Sequence, residues 1–193
     1  MANTQMPKEG ALSSGNFGRA VGKIDTGKDL TSGSPLSVEL DETMDFNDIF
    51  SIIKASVKRE LGMERSGIGL ALADLPNSLG AFWEVGGNYL VINENLVNGF
   101  LVSGRPRVEY NSFILVILMH EYLHSLGFID EGKARRATLF VCSRLFSSDH
   151  PAHRLAASDP WEIYPFLIGL PRSGKEGMTF IRKFDLSSTP YIS

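Results

Sequence analysis

The chain has 193 residues, of which 43% are hydrophobic and 21% are charged, and its formal net charge at pH 7 is −3. This length suits one domain with a sizeable core, and the charge balance offers no basic excess that would attract nucleic acid through its phosphates. The longest strongly apolar run, "FILVILM", is shorter than the roughly 20 residues that a membrane-crossing helix needs. The composition therefore predicts a soluble globular protein whose partners include neither nucleic acid nor a membrane.

The number of cysteines and the first residues of the chain bear on the cellular compartment of the protein. Cys142 is the single cysteine, which excludes an intrachain disulfide and a zinc site built from several cysteines, and which fits a reducing compartment. The opening "MANTQMPKEGALSSGNFG" lacks the charged segment followed by an apolar one that a secretory signal requires. We therefore expect a cytoplasmic protein.

The beginning of the chain differs in composition from the rest. Residues 1–36 are rich in Gly, Ser, Thr, Asn and Lys and show no apolar periodicity, which predicts a flexible or extended lead-in. A pro-segment that blocks a cleft is an alternative interpretation of this stretch. We place a single domain at 37–193, and the stretch "LSVEL", at 36–40 across this boundary, could form a short strand.

The first half of this domain predicts one helix followed by strands. Apolar residues recur at helical spacing in 46–61, with Asp45 as a plausible N-cap and Gly62 as a plausible stop. The stretch "IGLALADL" is typical of a strand. The stretch "GAFWEVGGNYLVINE" predicts a hairpin that turns at Gly86 and Gly87, and part of this hairpin could form a sheet edge.

Helices dominate the second half. A short helix is predicted at "NENLVNGFLV" with Asn93 near its cap, and an apolar helix from Val108 to Gly127. Asp130 can cap a further helix, "EGKARRATLFVCSRLF". We interpret the polar "SSDHPAHRLAASDPW" as a loop and "MTFIRKF" as a strand. The order of elements predicts an α+β fold.

The stretch "MHEYLHSLGFIDE", at 119–131, contains the candidate metal-binding and catalytic residues. Its spacing puts His120 and His124 one turn apart on the same helix face, so that their imidazoles can converge on one ion. Glu121 is rotated by about 100° from His120 and can act as a general base. Zinc lowers the pKa of a coordinated water to about 7, and together these groups suit hydrolysis of a peptide bond.

This HExxH motif resembles that of the zincin metallopeptidases, in which a sheet edge strand runs beside the HExxH helix and binds an extended substrate. The order of helix, strand, hairpin and HExxH helix is similar to the N-terminal half of that fold, over about 46–131. The resemblance implies a compact zincin-like domain in which a small mixed sheet, with its edge-strand hairpin, packs against the HExxH helix. It also implies a Zn²⁺ cofactor and a peptide or protein substrate.

The third zinc ligand is open to several interpretations, because a catalytic zinc needs three protein ligands and a water. The run "HEYLHSLGFID" is similar to the metzincin pattern HExxHxxGxxH/D, which implies Asp130 as the third ligand in the minority form of snapalysin-like enzymes. Asp130 is an equally good helix cap. His150 or His153 is the alternative ligand, and Glu131 and Glu162 are outside candidates.

Two other functions compete with a metallopeptidase. The spacing is also similar to the HxxxHxxGxDH motif of bacterial zinc endoribonucleases of rRNA maturation, although those proteins lack a glutamate at the position of Glu121. The acidic pI of about 5.8 also speaks against a nuclease. The third hypothesis is a zincin fold kept as a non-catalytic binding module.

Met178 is the only methionine after the motif, and the sequence around it lacks the usual metzincin methionine-turn signature.

Overall fold

The computed structural model describes residues 40–42 and 44–185. The predicted lead-in at 1–36 lies outside these residues, as does the short strand proposed at "LSVEL" except for Leu40, which lies in a turn. Along the described chain the elements are α1 (Phe46–Leu61), β1 (Gly69–Ala73), β2 (Ala81–Trp83), β3 (Tyr89–Asn93), α2 (Glu94–Val102), α3 (Arg107–Ser125), α4 (Glu131–Leu145), α5 (Pro151–Ala157), α6 (Pro160–Ile163), a 3-10 turn (Pro165–Leu167) and β4 (Met178–Phe180).

Helix α1 begins and ends where its sequence predicts. The Asp45 side chain accepts a hydrogen bond from the Asp48 backbone N–H, and the Asp48 side chain accepts one from the Asp45 N–H. This reciprocal pair satisfies two backbone donors that the first turn leaves without helical partners. Gly62 ends the helix with φ 69°, and its N–H donates to the Lys58 carbonyl.

The sheet is small and mixed, which confirms the predicted α+β class. Its strand order is β2-β3-β1-β4, with β1 parallel to β3, β2 antiparallel to β3 and β4 antiparallel to β1. The predicted hairpin is confirmed, since β2 and β3 pair through a turn in which the Gly87 N–H donates to the Glu84 carbonyl. Strand β2 is therefore one edge of the sheet that the described residues form.

Helix α3 lies at the centre of the molecule. It packs against α1, α4 and α5 and against strand β2, and the apolar run at 113–119 is buried, as predicted. Tyr122 is 0% exposed and faces the core, also as predicted. A helix enclosed in this way by its neighbours holds its own side chains firmly, which suits it to carry a site.

In the described part of the chain, no helix combines the length and apolarity that crossing a membrane requires.

The stretch predicted as a polar loop after α4 is instead partly helical. Helix α5 begins after His150, whose side chain accepts a hydrogen bond from the Ala152 N–H, and Pro151 occupies its first turn. Proline is favoured there because its missing N–H has no helical partner in any case. Two residues of the helix, Ala152 and Leu155, are buried, and the burial of this short apolar face favours the helix over a loop. The prediction of a loop at 151–157 is wrong.

Candidate metal centre

The end of α3 and the beginning of α4 are brought together by a tight turn. Gly127 adopts φ 102° and its N–H donates to the His124 carbonyl, while the Phe128 N–H donates to the Leu123 carbonyl. A left-handed residue directly after a helix reverses the chain while satisfying the last helical carbonyls. Helix α4 can therefore begin beside the last turn of α3, and its first residue, Glu131, faces the two histidines.

The donor atoms of His120, His124 and Glu131 form a nearly equilateral triangle. The two Nε2 atoms are 3.1 Å apart, and Glu131 Oε2 lies 3.3 Å from each of them. Tetrahedral zinc with bonds of about 2.0 to 2.1 Å keeps its ligand atoms about 3.3 to 3.4 Å apart. Two of the three distances equal the spacing that one shared zinc ion would impose, and the distance between the two Nε2 atoms is slightly shorter.

Neighbouring groups orient two of the three donors. His124 Nδ1 is 2.7 Å from the Phe128 carbonyl oxygen, which can only accept, so Nδ1 carries the proton and the Nε2 lone pair is left for a metal. Arg135 Nε donates to Glu131 Oε1 at 2.8 Å, which leaves Oε2 facing the histidines. This arrangement resembles the support that metal ligands commonly receive from their neighbours.

The charge states of the donors also suit a metal. Burial lowers the pKa of His120, which favours the neutral imidazole. For Glu131, burial opposes ionisation, but the hydrogen bond from Arg135 and the nearby His120 together hold its pKa below the ordinary value. Metal ligands must be deprotonated, so both shifts favour binding.

Glu121 occupies a different environment from the donor triangle. Glu121 is only 8% exposed, and its carboxyl group lies near the backbone of Trp83, in edge strand β2. Burial raises its pKa to about 7, against the lowering effect of His124. The predicted general base thus lies on α3 beside His120 and close to strand β2.

The other predicted ligands serve as helix caps or lie elsewhere. Asp130 Oδ1 accepts a hydrogen bond from the Lys133 N–H at 2.9 Å and caps α4, and the His150 side chain caps α5. His153 lies within α5. Among the described residues, the group whose donor atoms could hold an ion contains Glu131 and none of these three. Asp130, His150 and His153 as ligands stay predictions that the structure does not favour.

Three contributors to the site were not identified from sequence. Arg135 stands four residues after Glu131, a spacing that places oppositely charged side chains together on a helix, and this signal was present in the sequence. The Trp83 backbone N–H and the side chain of Arg65, which contacts both the hairpin turn and the end of α3, depend on tertiary packing. No local pattern could have indicated them.

Comparisons with protein-family models, with curated proteins and with solved structures produced no match. The candidate site is therefore defined by the chemistry and spacing of its own side chains. The helix that carries the HExxH residues also packs against edge strand β2.

Proposed function

We propose that the protein is a zinc-dependent metallopeptidase in which His120, His124 and Glu131 hold the ion and Glu121 acts as general base. The observation that carries this proposal is the triangle of donor atoms with edges of 3.1, 3.3 and 3.3 Å. Two imidazoles and one carboxylate form a ligand set typical of catalytic zinc, with the fourth position left for water or substrate.

Each group in the site has a defined task in this mechanism. Bound zinc supplies Lewis acidity, which lowers the pKa of water and polarises a substrate carbonyl. Glu121 accepts the proton of the attacking water and can return it to the leaving amine. The Glu121 carboxyl group lies near the backbone of Trp83, so the proposed base is close to edge strand β2 before substrate arrives.

Strand β2 is the proposed substrate-binding element. It lies at an edge of the described sheet, packs against α3 and contacts Glu121 through Trp83. An extended peptide can add to such an edge by backbone hydrogen bonding, which would carry its peptide bonds past the metal. This arrangement supports the zincin-like architecture proposed from the sequence.

Zinc content after purification without added metal tests the ligand set. We expect about one zinc per wild-type chain, and a loss of zinc affinity of more than about tenfold in Glu131→Gln, because a neutral amide is a weaker ligand than a carboxylate. Asp130→Asn is the matched control, because asparagine caps a helix as well as aspartate does. This neighbouring variant should keep its zinc. Zinc loss in Asp130→Asn with retention in Glu131→Gln would instead identify Asp130 as the third ligand.

Cleavage of a peptide library tests the activity itself. Glu121→Gln should retain zinc and lose hydrolysis, because the amide cannot accept the proton. A wild-type chain that takes up no zinc even on reconstitution would mean that the histidines form a buried structural pair. Zinc binding without peptide cleavage would favour the binding module, and RNA cleavage that survives Glu121→Gln would favour the nuclease.

A further inference from the structure

Arg65 connects two parts of the molecule that must be aligned if the proposed function is correct. It lies in the segment between α1 and β1. Its Nη1 donates to the Ser125 carbonyl at 3.2 Å, at the end of α3. Its Nη2 donates to the Gly87 carbonyl and to Asn88 Oδ1, both at 2.9 Å, in the hairpin turn that follows β2. One guanidinium group thus links the helix that carries the histidines to the hairpin that carries the edge strand.

The backbone of Arg65 is also anchored to α3. Its N–H donates to Tyr122 Oη at 2.8 Å, and the Tyr122 hydroxyl donates to the Arg65 carbonyl at 3.1 Å. Tyr122 is fully buried and directly follows Glu121. The position of Arg65 is therefore fixed relative to the same helix turn that bears the general base.

Trp83 completes the connection between Arg65 and the site. The Arg65 guanidinium lies 5.7 Å from the centroid of the Trp83 ring, and Trp83 Nε1 donates to the Gly87 carbonyl that Arg65 also contacts. The backbone of Trp83 lies near the Glu121 carboxyl group. Since β2 pairs with β3 over only three residues, its ladder alone constrains this end of the hairpin weakly.

We infer that Arg65 is a positioning residue that sets the alignment of edge strand β2 with Glu121 and the zinc ligands. This inference rests on the proposed function. A planar guanidinium can direct separate N–H groups to the helix carbonyl and the turn at once, whereas a lysine ammonium acts as a single point charge. Alignment matters because a displacement of about 1 Å in an active site can reduce the rate roughly 100-fold.

The test compares Arg65→Lys and Arg65→Ala with Arg105→Ala. Arg105 is a suitable control because it also packs on aromatic rings, those of Tyr164 and Phe166, and forms an ion pair with Glu109. It precedes the first turn of α3, roughly 20 Å along the helix axis from His120. The measurements are kcat and KM on a cleaved peptide, zinc content, and hydrogen exchange of the Trp83 amide by NMR.

We expect Arg65→Ala to lower kcat roughly 10- to 100-fold with zinc content unchanged and with faster exchange of the Trp83 amide, and Arg65→Lys to recover part of the loss. Arg105→Ala should leave kcat and the Trp83 exchange rate at the wild-type values. Wild-type kinetics in both Arg65 variants, or an unchanged Trp83 exchange rate, would overturn the positioning role and leave the proposed function intact. A wild-type chain that hydrolyses no peptide would overturn both.

Discussion

Asp130 and Glu131 are chemically alike and adjacent, yet they make different contacts. The short Asp130 side chain reaches back to a backbone N–H of its own helix, where a carboxylate also interacts favourably with the helix dipole. The longer Glu131 side chain reaches across to α3 and meets both histidines. Two neighbouring carboxylates therefore differ in role, since Asp130 at the N-cap position caps the helix and Glu131 at the first helical position is a candidate metal ligand.

Cys142 provides a prediction at the same scale. Its thiol is 0% exposed, and burial raises its pKa to about 12. Because the thiolate is the reactive form, the native protein should resist thiol reagents at neutral pH, and labelling should occur only when the chain opens. The rate of modification by a chromogenic disulfide, measured across a urea titration, should rise with the unfolded fraction. Rapid labelling of the folded protein would contradict this burial.

At the residue scale, the sequence was informative where the chemistry is local. The positions of His120, Glu121 and His124 on one helix end follow from spacing alone, because helical geometry fixes the angle between them. The choice between Asp130 and Glu131 could not be predicted. It depends on the backbone angles of the turn at 126–130, in which Gly127 adopts φ 102°, and on the direction in which α4 leaves it.

At the element scale, most boundaries were predictable because their signals are also local. The caps Asp45 and Asn93 lie where the sequence predicts them, and the hairpin turn includes both predicted glycines, Gly86 with φ 83° and Gly87, whose N–H donates to the Glu84 carbonyl. Helix α5 was missed because its polar and proline residues resemble those of a loop. Its apolar side was too short to recognise in isolation, since only the packed core shows that Ala152 and Leu155 have partners.

The attachment of the β4 region to the sheet depends on Asp74, which directly follows β1. Its carboxylate accepts hydrogen bonds from Asn95 Nδ2 at 2.6 Å, Arg172 Nε at 2.9 Å, Ser173 Oγ at 3.1 Å and the Gly174 N–H at 2.5 Å. The Arg172 bond lowers the pKa of Asp74 most; burial opposes it, and the other bonds assist, so that the pKa falls to about 2. The segment before β4 is thus held by an ionised carboxylate.

The contacts of Asp74 predict a contribution to the stability of the folded protein that depends on pH. The pKa of an aspartate in the unfolded chain is about 3.9, so folding lowers the pKa of Asp74. The stabilisation of the folded state by Asp74 is therefore complete above the unfolded pKa, and it is lost as the pH falls towards about 2. The Tm of Asp74→Asn should therefore lie below that of wild type at pH 6, and the two values should converge on acidification. A difference in Tm that stays constant from pH 6 to pH 2 would exclude this role.

At the scale of the whole molecule, an ion pair in the interior joins distant parts of the chain. Lys54, in α1, is 5% exposed and its Nζ lies 2.7 Å from Asp185 Oδ1, and Asp185 is 4% exposed. The second oxygen of Asp185 accepts from the backbone N–H groups of Gly67 and Ile68. The last described residue is thereby connected to the first helix and to the segment before β1.

A double-mutant cycle should detect this connection. Lys54→Met and Asp185→Asn should each destabilise the protein by roughly 3 to 5 kcal/mol, because each leaves a buried charge without its main partner, and the double variant should lose less than the sum. Urea unfolding supplies the free energies. Lys58→Met is the control, because Lys58 pairs with Glu64 while 64% exposed and should cost no more than about 1 kcal/mol. Additive losses in the cycle would show that the two residues act independently.

The outer donors of the candidate metal centre are only eleven residues apart in the chain. Closing so short a loop costs little entropy, so an unfolded chain can also gather these ligands around zinc, though less well than the folded one. Ligand binding stabilises a protein only by the difference between its affinities for the two states. Zinc should consequently raise the Tm of the protein by less than its affinity for the native protein alone implies.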